Sequence, residues 1–343
     1  SEARISKDIK PSRDRNRLES EILMLEDQYA PGMVPHVYFF DTVMCACGME
    51  DCSDYAVMRD AMLKHETFPR FAEDVSTFMV NTLLLSSDVV MDHKEKKELV
   101  KKFISPDLCD ITEKLVLMEP YMDLYDRNNV YGPNRDFVKK ELYEDEALRL
   151  EVSKLKFRFM TDAQALLHGD LHTGSIFIRQ DSTKIFDCEF GTYAPMGYDV
   201  GNVVANLIFA YDNGLSTDDG PFCDWCLKTI EETVDLFIEK FGRKYDEAVT
   251  EPMAKVKGFK EWYFDGILKD TAGYAGTELH RRTVGMANVV DVTTIQDEKK
   301  RLLAERINIL AGKEYIMNQG AFRTGADYVA AVLRAKEAAQ KTL

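Results

Sequence analysis

Hydrophobic residues recur along most of this chain at the spacing of helices, and in a few short stretches at the spacing of strands. Residues 14–29 carry Leu18, Ile22 and Leu25 at steps of four and three, one face of a helix. Ser12 stands where a cap belongs, Arg15 and Glu19 form an i,i+4 pair, and Pro31-Gly32 closes the segment. Val37–Phe40 and Val43–Gly48 read as strands joined near Asp41-Thr42. The second is almost wholly apolar, which predicts burial on both faces. Beyond residue 54 the pattern is mainly helical, over 67–87, 93–103, 134–144 and 146–166. In the last of these, Val152, Leu155, Phe159, Ala163 and Leu166 keep a helical period. Residues 105–133, rich in Pro, Asp, Asn and Gly, predict a connector with little regular structure. A helix over 200–210 has Asp199 as its cap, and others are expected near 222–241, 252–268, 269–285, 296–318 and 323–339.

One stretch interrupts the helices. Ile176–Ile178 and Lys184–Phe186 are short strands around a polar turn, Gln180–Thr183. Asp170 precedes this hairpin, and Asp187 and Glu189 follow it. A hairpin returns its ends to one place, so three carboxylates converge. In extended backbone, residues i and i+2 face one side, so Asp187 and Glu189 can reach one metal while Cys188 points away. Carboxylate oxygens suit Mg²⁺. Transfer of a phosphoryl group from a nucleotide needs such a set: one acid to align the acceptor hydroxyl and take its proton, others to hold the metal on the phosphates.

These residues also carry a resemblance. His168-Gly169-Asp170-Leu171-His172-Thr173-Gly174-Ser175 resembles the catalytic loop of the 5-methylthioribose kinase family. That family lies in the kinase-like superfamily that also holds the aminoglycoside and choline phosphotransferases. Many relatives there place a metal-binding Asn five residues after the Asp; here that position is Ser175. Asp187-Cys188-Glu189 stands where protein kinases have Asp-Phe-Gly, and the Glu189 carboxylate offsets the missing amide. Met49-Glu50-Asp51 is similar to the hinge, Pro195–Asn202 to the segment after the metal site, and Glu278-Leu279-His280-Arg281-Arg282-Thr283 to the paired-arginine segment. The similarity runs from about Ile5 to about Ala335.

The resemblance implies an α+β, protein kinase-like, bilobal fold. Residues 1–52 would be a remnant of the N-lobe (helix, two strands, hinge), with its β-sheet incomplete. Residues 53–343 would form a largely helical C-lobe with the catalytic hairpin and metal site. It implies ATP and Mg²⁺. Asp170 would position and deprotonate the hydroxyl. Arg281 and Arg282 would lie near the sugar and the transferred phosphate, one facing the site and the other bracing an acid. The backbone of Glu50 and Cys52 would face adenine, and Glu19 would be the N-lobe glutamate that meets a strand lysine. His168 would hold the loop through the backbone, Ser175 would support it, and Asp199 would cap its helix or brace the loop. The implied reaction moves the γ-phosphate of ATP to the 1-hydroxyl of 5-methylthioribose, a methionine-salvage step in a cytoplasmic, usually homodimeric, enzyme. Two alternatives stay open. One is a kinase for another small alcohol such as an aminoglycoside or choline, against which Ser175 and the arginine pair argue. The other is a catalytically silent module that binds a sugar or a protein.

The silent module draws support from the start of the chain. A kinase of this kind needs a glycine-rich turn over the phosphates and a strand lysine beside them. No Gly occurs before Gly32, and Lys7 and Lys10 lie in a polar stretch interrupted by Pro11. The strands that carry these features would be cut away upstream, be disordered, or be lost in a natural degenerate form; the intact acids favour the first two.

Bulk properties narrow the partners. With 343 residues and 45% hydrophobic content the chain can bury a large core. A net charge of -15 argues against non-specific nucleic-acid binding and against an anionic membrane surface. No apolar run approaches the ~20 residues of a membrane helix, and no signal peptide opens the visible chain. Seven cysteines, an odd number, suggest reduced thiols. Cys223-Asp-Trp-Cys226 has the spacing of a zinc or redox half-site but no second pair to complete it, so two helix cysteines are expected.

Overall fold

The computed structural model describes residues 15–343, so Ser12, Lys7 and Lys10 lie outside the described residues. Helix α1 (Arg15–Tyr29) buries Leu18, Ile22 and Leu23, and an acid, Glu26, on the same side. Strands β1 (Val37–Asp41) and β2 (Ala46–Met49) pair antiparallel. The expectation of a strand buried on both faces fails here. Val43 and Met44 fall in the turn and are 86% and 74% exposed, and Tyr38 and Phe39 of β1 are also open. Among the described residues no third strand joins this ribbon; α1 packs against it and buries Val37, and the apolar side chains away from that contact stay at the surface.

A short strand, β3 (Ala56–Val57), leads into α2 (Met58–Met62) and then α3 (Phe71–Leu85) and α4 (His93–Lys102), which Asp92 caps. The expected loose connector is partly helical: α5 (Pro106–Ile111) runs into a π-turn at Thr112–Val116, followed by α6 (Glu119–Met122). Pro106 occupies the first turn of α5, where its missing N–H leaves no intrahelical bond unmade. After α7 (Arg135–Val138), helix α8 (Glu146–Thr161) stops at Asp162, earlier than the period suggested. Leu166 belongs instead to β4 (Ala165–Leu166), which pairs with β7 (Tyr193–Ala194). This two-strand clasp closes the base of the segment between them. Within that segment β5 (Ile176–Ile178) and β6 (Thr183–Ile185) form the hairpin, and β3 joins its outer edge.

The remaining helices build the core. In α9 (Gly197–Ser216) every residue from Gly197 to Gly214 is buried. It is enclosed by α10 (Gly220–Ala248), α11 (Phe259–Val284) and α13 (Glu298–Met317), with α12 (Val290–Thr293) against one end and α14 (Gly325–Gln340) outside α10 and α13. A helix buried all round cannot show a one-sided apolar stripe, and α9 carries Asp199, Asn202, Asn206, Asp212 and Asn213 inside. Gly201 lets α11 come close, since a Cβ there would stand 2.5 Å from the Ala275 nitrogen. The two helices expected at 252–268 and 269–285 are a 3₁₀ turn (Pro252–Lys255) and the single continuous α11. Cys223 and Cys226 are buried, free thiols in α10.

Candidate active site

The catalytic loop is fixed from below by buried acceptors. Asp199, in the first turn of α9, accepts from the backbone N–H of His168 at 2.7 Å and of Gly169 at 3.0 Å. It does not cap its helix as expected: the cap residue is Met196, and Asp199 reaches out to brace the loop. The ring of His168 is buried, donates from Nε2 to the Phe186 carbonyl at 2.8 Å, and accepts the Asp170 N–H at Nδ1. Gly169 has φ +84, and a Cβ would meet the Phe190 carbonyl oxygen at 2.2 Å, so no other residue fits without rebuilding the turn. Ser175 holds His172 by Oγ–Nδ1 at 3.1 Å, and its own carbonyl accepts the Phe186 N–H.

Asp170 then meets side chains from more than a hundred residues away. Its Oδ1 receives Arg281 at 2.6 Å and Arg282 at 3.4 Å, and its Oδ2 lies 3.2 Å from His172 Nε2. Burial alone would raise the Asp170 pKa; His172, Arg281 and Arg282 override it and hold the group well below the usual carboxylate range. Both arginines also pair with Glu278, one turn earlier on α11 and 0% exposed. The expected division of labour, one arginine on the site and one on an acid, does not occur. Glu278 stands at i−3 and i−4, between two long side chains that both bend over it. A third arginine, Arg59 of α2, donates to Thr173 Oγ1 at 3.2 Å and to Asn206 Oδ1 at 2.9 Å, and lies 3.6 Å from Asp291.

At the far end of the hairpin Asp187 has φ +66, so the segment is not extended and the i, i+2 argument does not apply. The acids are nevertheless neighbours. Glu19 of α1 has its pKa raised to about 7 by burial first, then by the charges of Asp187 and Glu189. Glu189 pairs with Arg15 at 3.2 Å. Cys188 turns the other way, is buried, and points its thiol at the Glu19 carbonyl. Among the described residues no group of three or more His, Cys, Asp or Glu is gathered tightly enough to hold a metal ion by itself. At the hinge, the Glu50 N–H is committed to the His36 carbonyl at 2.8 Å and its carboxylate to Lys184 at 2.8 Å. Of the Glu50 backbone groups expected to face adenine, the N–H is therefore already engaged. The Cys52 carbonyl accepts from Tyr55.

Relatives settle which family this arrangement represents. The methylthioribose kinase of Bacillus pumilus is 36% identical over 317 residues, which is 92% of this chain and 79% of that one. A methylthioribose kinase from a Geobacillus species is 37% identical over 302 residues, 88% of this chain and 74% of the relative. The chain belongs to the methylthioribose kinase family. The phosphotransferase enzyme family (APH) matches residues 107–221, the stretch that holds the catalytic loop and hairpin. The fold is accordingly protein kinase-like, α+β and mostly helical. The solved Plasmodium vivax ethanolamine kinase covers 97% of this chain and 74% of its own at 13% identity, with a TM-score of 0.39.

Within this family member, several site residues carry no signal of their own in the sequence. Arg59 is one arginine on a helix of five residues, and Asp291 one acid on a helix of four. Glu278 sits inside the paired-arginine motif, yet only the hydrogen bonds from Arg281 and Arg282 show that it holds both guanidinium groups. Phe177 and Phe186 stack at 3.8 Å and 9° across the hairpin, half-buried, next to Asp187.

Proposed function

We propose that this protein is an ATP-dependent small-molecule kinase that moves the γ-phosphoryl group of ATP to the 1-hydroxyl of 5-methylthioribose. Family membership supports the reaction, and one observation carries the mechanism: Asp170 and the Arg281–Arg282 pair meet at hydrogen-bond distance from opposite parts of the chain. The bond from the sugar oxygen to phosphorus forms as the bond to the leaving ADP breaks, and the hydroxyl proton passes to Asp170. As it stands, Asp170 is a poor base because three cationic or donor groups load its two oxygens. An arriving phosphoryl group offers the arginines a further anion beside Asp170 and Glu278. As they turn to it, the load on Oδ1 falls and Asp170 becomes a better proton acceptor. The same arginines neutralise charge on the phosphoryl oxygens.

Asp187 and Glu189 are the residues that would hold Mg²⁺, whose chemistry is to neutralise the nucleotide phosphates. The donors are oxygens, and Mg²⁺ commonly takes only one or two carboxylates beside water and phosphate. Burial first, and then the charges of Asp187 and Glu189, raise the Glu19 pKa, so the three acids repel one another here and a cation relieves that repulsion. For adenine, the Glu50 carbonyl and the Cys52 N–H have no backbone partner among the described residues, and the stacked Phe177 and Phe186 offer an apolar platform. We set the boundary between a small N-terminal unit and the helical unit at residues 52/53. A reduced cytoplasm suits the seven free cysteines, and no helix among the described residues is long and apolar enough to cross a membrane. A homodimer completes the reading, and sedimentation would test it.

The deciding assay is ADP release with Mg²⁺ and ATP, offering 5-methylthioribose, an aminoglycoside and choline as rival acceptors. Turnover on the sugar alone is the expected result. Asp170→Asn should lower that turnover by about 10²–10⁴-fold; near-normal turnover would remove Asp170 from its role.

A further inference from the structure

We infer that Arg59 is a third arginine of the phosphoryl site, which binds the phosphate of the sugar 1-phosphate together with Arg281 and Arg282. This rests on the kinase reading above and extends it to a residue from another part of the chain.

The placement of Arg59 is firm. It follows β3, whose residues Ala56 and Val57 pair with Ile178 and Phe177 of the hairpin. The start of α2 is thereby tied to the catalytic segment. The guanidinium lies along the catalytic loop: Nε donates to Thr173 Oγ1, Nη2 donates to Asn206 Oδ1, and a Cβ on Gly174 would stand 2.9 Å from Nη1.

Its charge is less well met than that of its neighbours. Arg281 and Arg282 each donate to two carboxylates, Glu278 and Asp170. The hydrogen-bond acceptors of Arg59 are neutral, a hydroxyl and an amide oxygen. The carboxylate facing it, Asp291, stays at 3.6 Å, and its Oδ2 receives no hydrogen bond among the described residues. A mostly buried cation whose hydrogen bonds go only to neutral acceptors, with its nearest carboxylate at 3.6 Å, is stabilised further by an anion that accepts from it directly. Burial first, and then the charge of Arg282, push the Arg59 pKa down, so the two guanidinium groups are close enough to repel and an anion between them relieves both. Side-chain exposures of 15% for Arg59, 12% for Arg281 and 11% for Arg282 show that none of the three is sealed off. A phosphate, with several acceptor oxygens and about two negative charges, matches three forked donors better than a neutral sugar does.

The rival is a staple that merely holds Thr173 and α9 together. A staple supports the neutral sugar and the sugar phosphate alike, whereas a phosphate ligand discriminates between them. The test is calorimetric titration of the full chain with 5-methylthioribose, its 1-phosphate and inorganic phosphate. Arg59→Gln should weaken the 1-phosphate by at least about tenfold and inorganic phosphate in parallel, and leave the sugar within about twofold. Arg59→Lys keeps the charge without the fork and should lose a few-fold on phosphate alone, which decides the matter if the Gln variant does not fold. Equal losses on sugar and sugar phosphate, or no loss on either phosphate, would overturn the inference. If the wild type turns over no methylthioribose, the kinase assignment fails on its own. The titration with inorganic phosphate still reports on Arg59: dependence on Arg59 keeps the anion site, and independence removes it.

Discussion

Glu278→Gln is the substitution that tests the site most directly. The wild-type carboxylate is fully buried and accepts from the Nε atoms of both Arg281 and Arg282. The amide keeps the size of the side chain but removes the charge, and its NH₂ must face a guanidinium. Breaking a buried ion pair by removing one partner costs about 3–5 kcal/mol. Asp170 still contacts both arginines, so the lower end, about 3 kcal/mol, is expected. For a chain of 343 residues, with an unfolding entropy of about 2.1 cal/mol/K per residue, that corresponds to a fall in Tm of about 4 °C. The difference should depend on pH. Burial raises the Glu278 pKa, but Arg281 and Arg282 outweigh it and leave the group below its ordinary value of 4.5. A depressed carboxylate contributes its stability above the unfolded pKa and loses it as pH falls through the folded one. The gap between wild type and variant should therefore be full at neutral pH and close only below about pH 4.5. Calorimetry on both proteins from pH 3.5 to 8 measures it. A variant that melts within about 1 °C of wild type at pH 7, or a gap that widens toward acid, would refute the argument that Glu278 is the charged keystone under the arginines.

Other substitutions probe the rest of the site. Gly169→Ala forces a Cβ against the Phe190 carbonyl at positive φ, so activity should fall by more than about 10²-fold even where circular dichroism shows a folded chain. Asp199→Ala strips the acceptor from two buried N–H groups, at about 1–3 kcal/mol each; urea unfolding should show a loss of that size, and an unchanged midpoint would demote the brace. Glu19→Gln acts in the opposite sense to Glu278→Gln. The raised Glu19 pKa of about 7 means that its contribution is present below 4.5 and lost as pH rises to about 7, so without metal the variant should be the more stable protein at pH 8 and converge with wild type near pH 4.5. Saturating Mg²⁺ with ATP should shrink the pH 8 difference, and a difference indifferent to both pH and metal would separate Glu19 from the acids around it.

The sequence revealed local order far better than it revealed meetings at a distance. The catalytic loop and hairpin were readable because Asp170, Asp187 and Glu189 sit within twenty residues of one another and a tight turn forces their return. The helices α3 and α13 lie where the helical pattern over 67–87 and 296–318 predicts them, and α9 contains the helix expected over 200–210 but extends beyond it at both ends. Where the reading failed, the failures share a cause. Val43–Gly48 is apolar but exposed, because composition records what a strand tolerates and not whether a second layer lies over it. The composition of 105–133 predicts a connector, but Ser105-Pro106-Asp107 within it is the opening of a helix. Asp187 was placed by strand alternation, but its backbone is left-handed, a choice that Asp tolerates and that alternation cannot express. The arginine cluster was legible only through family resemblance. Arg59 and Arg282 are more than two hundred positions apart, and each alone is an unremarkable basic residue on a helix. What joins them is the enclosure of α9, which packs α11 on one side and carries Asn206 toward α2. The chemistry of the site thus depends on a helix whose own sequence offers no catalytic group, and substitutions in its buried polar row should disturb phosphoryl transfer without touching substrate.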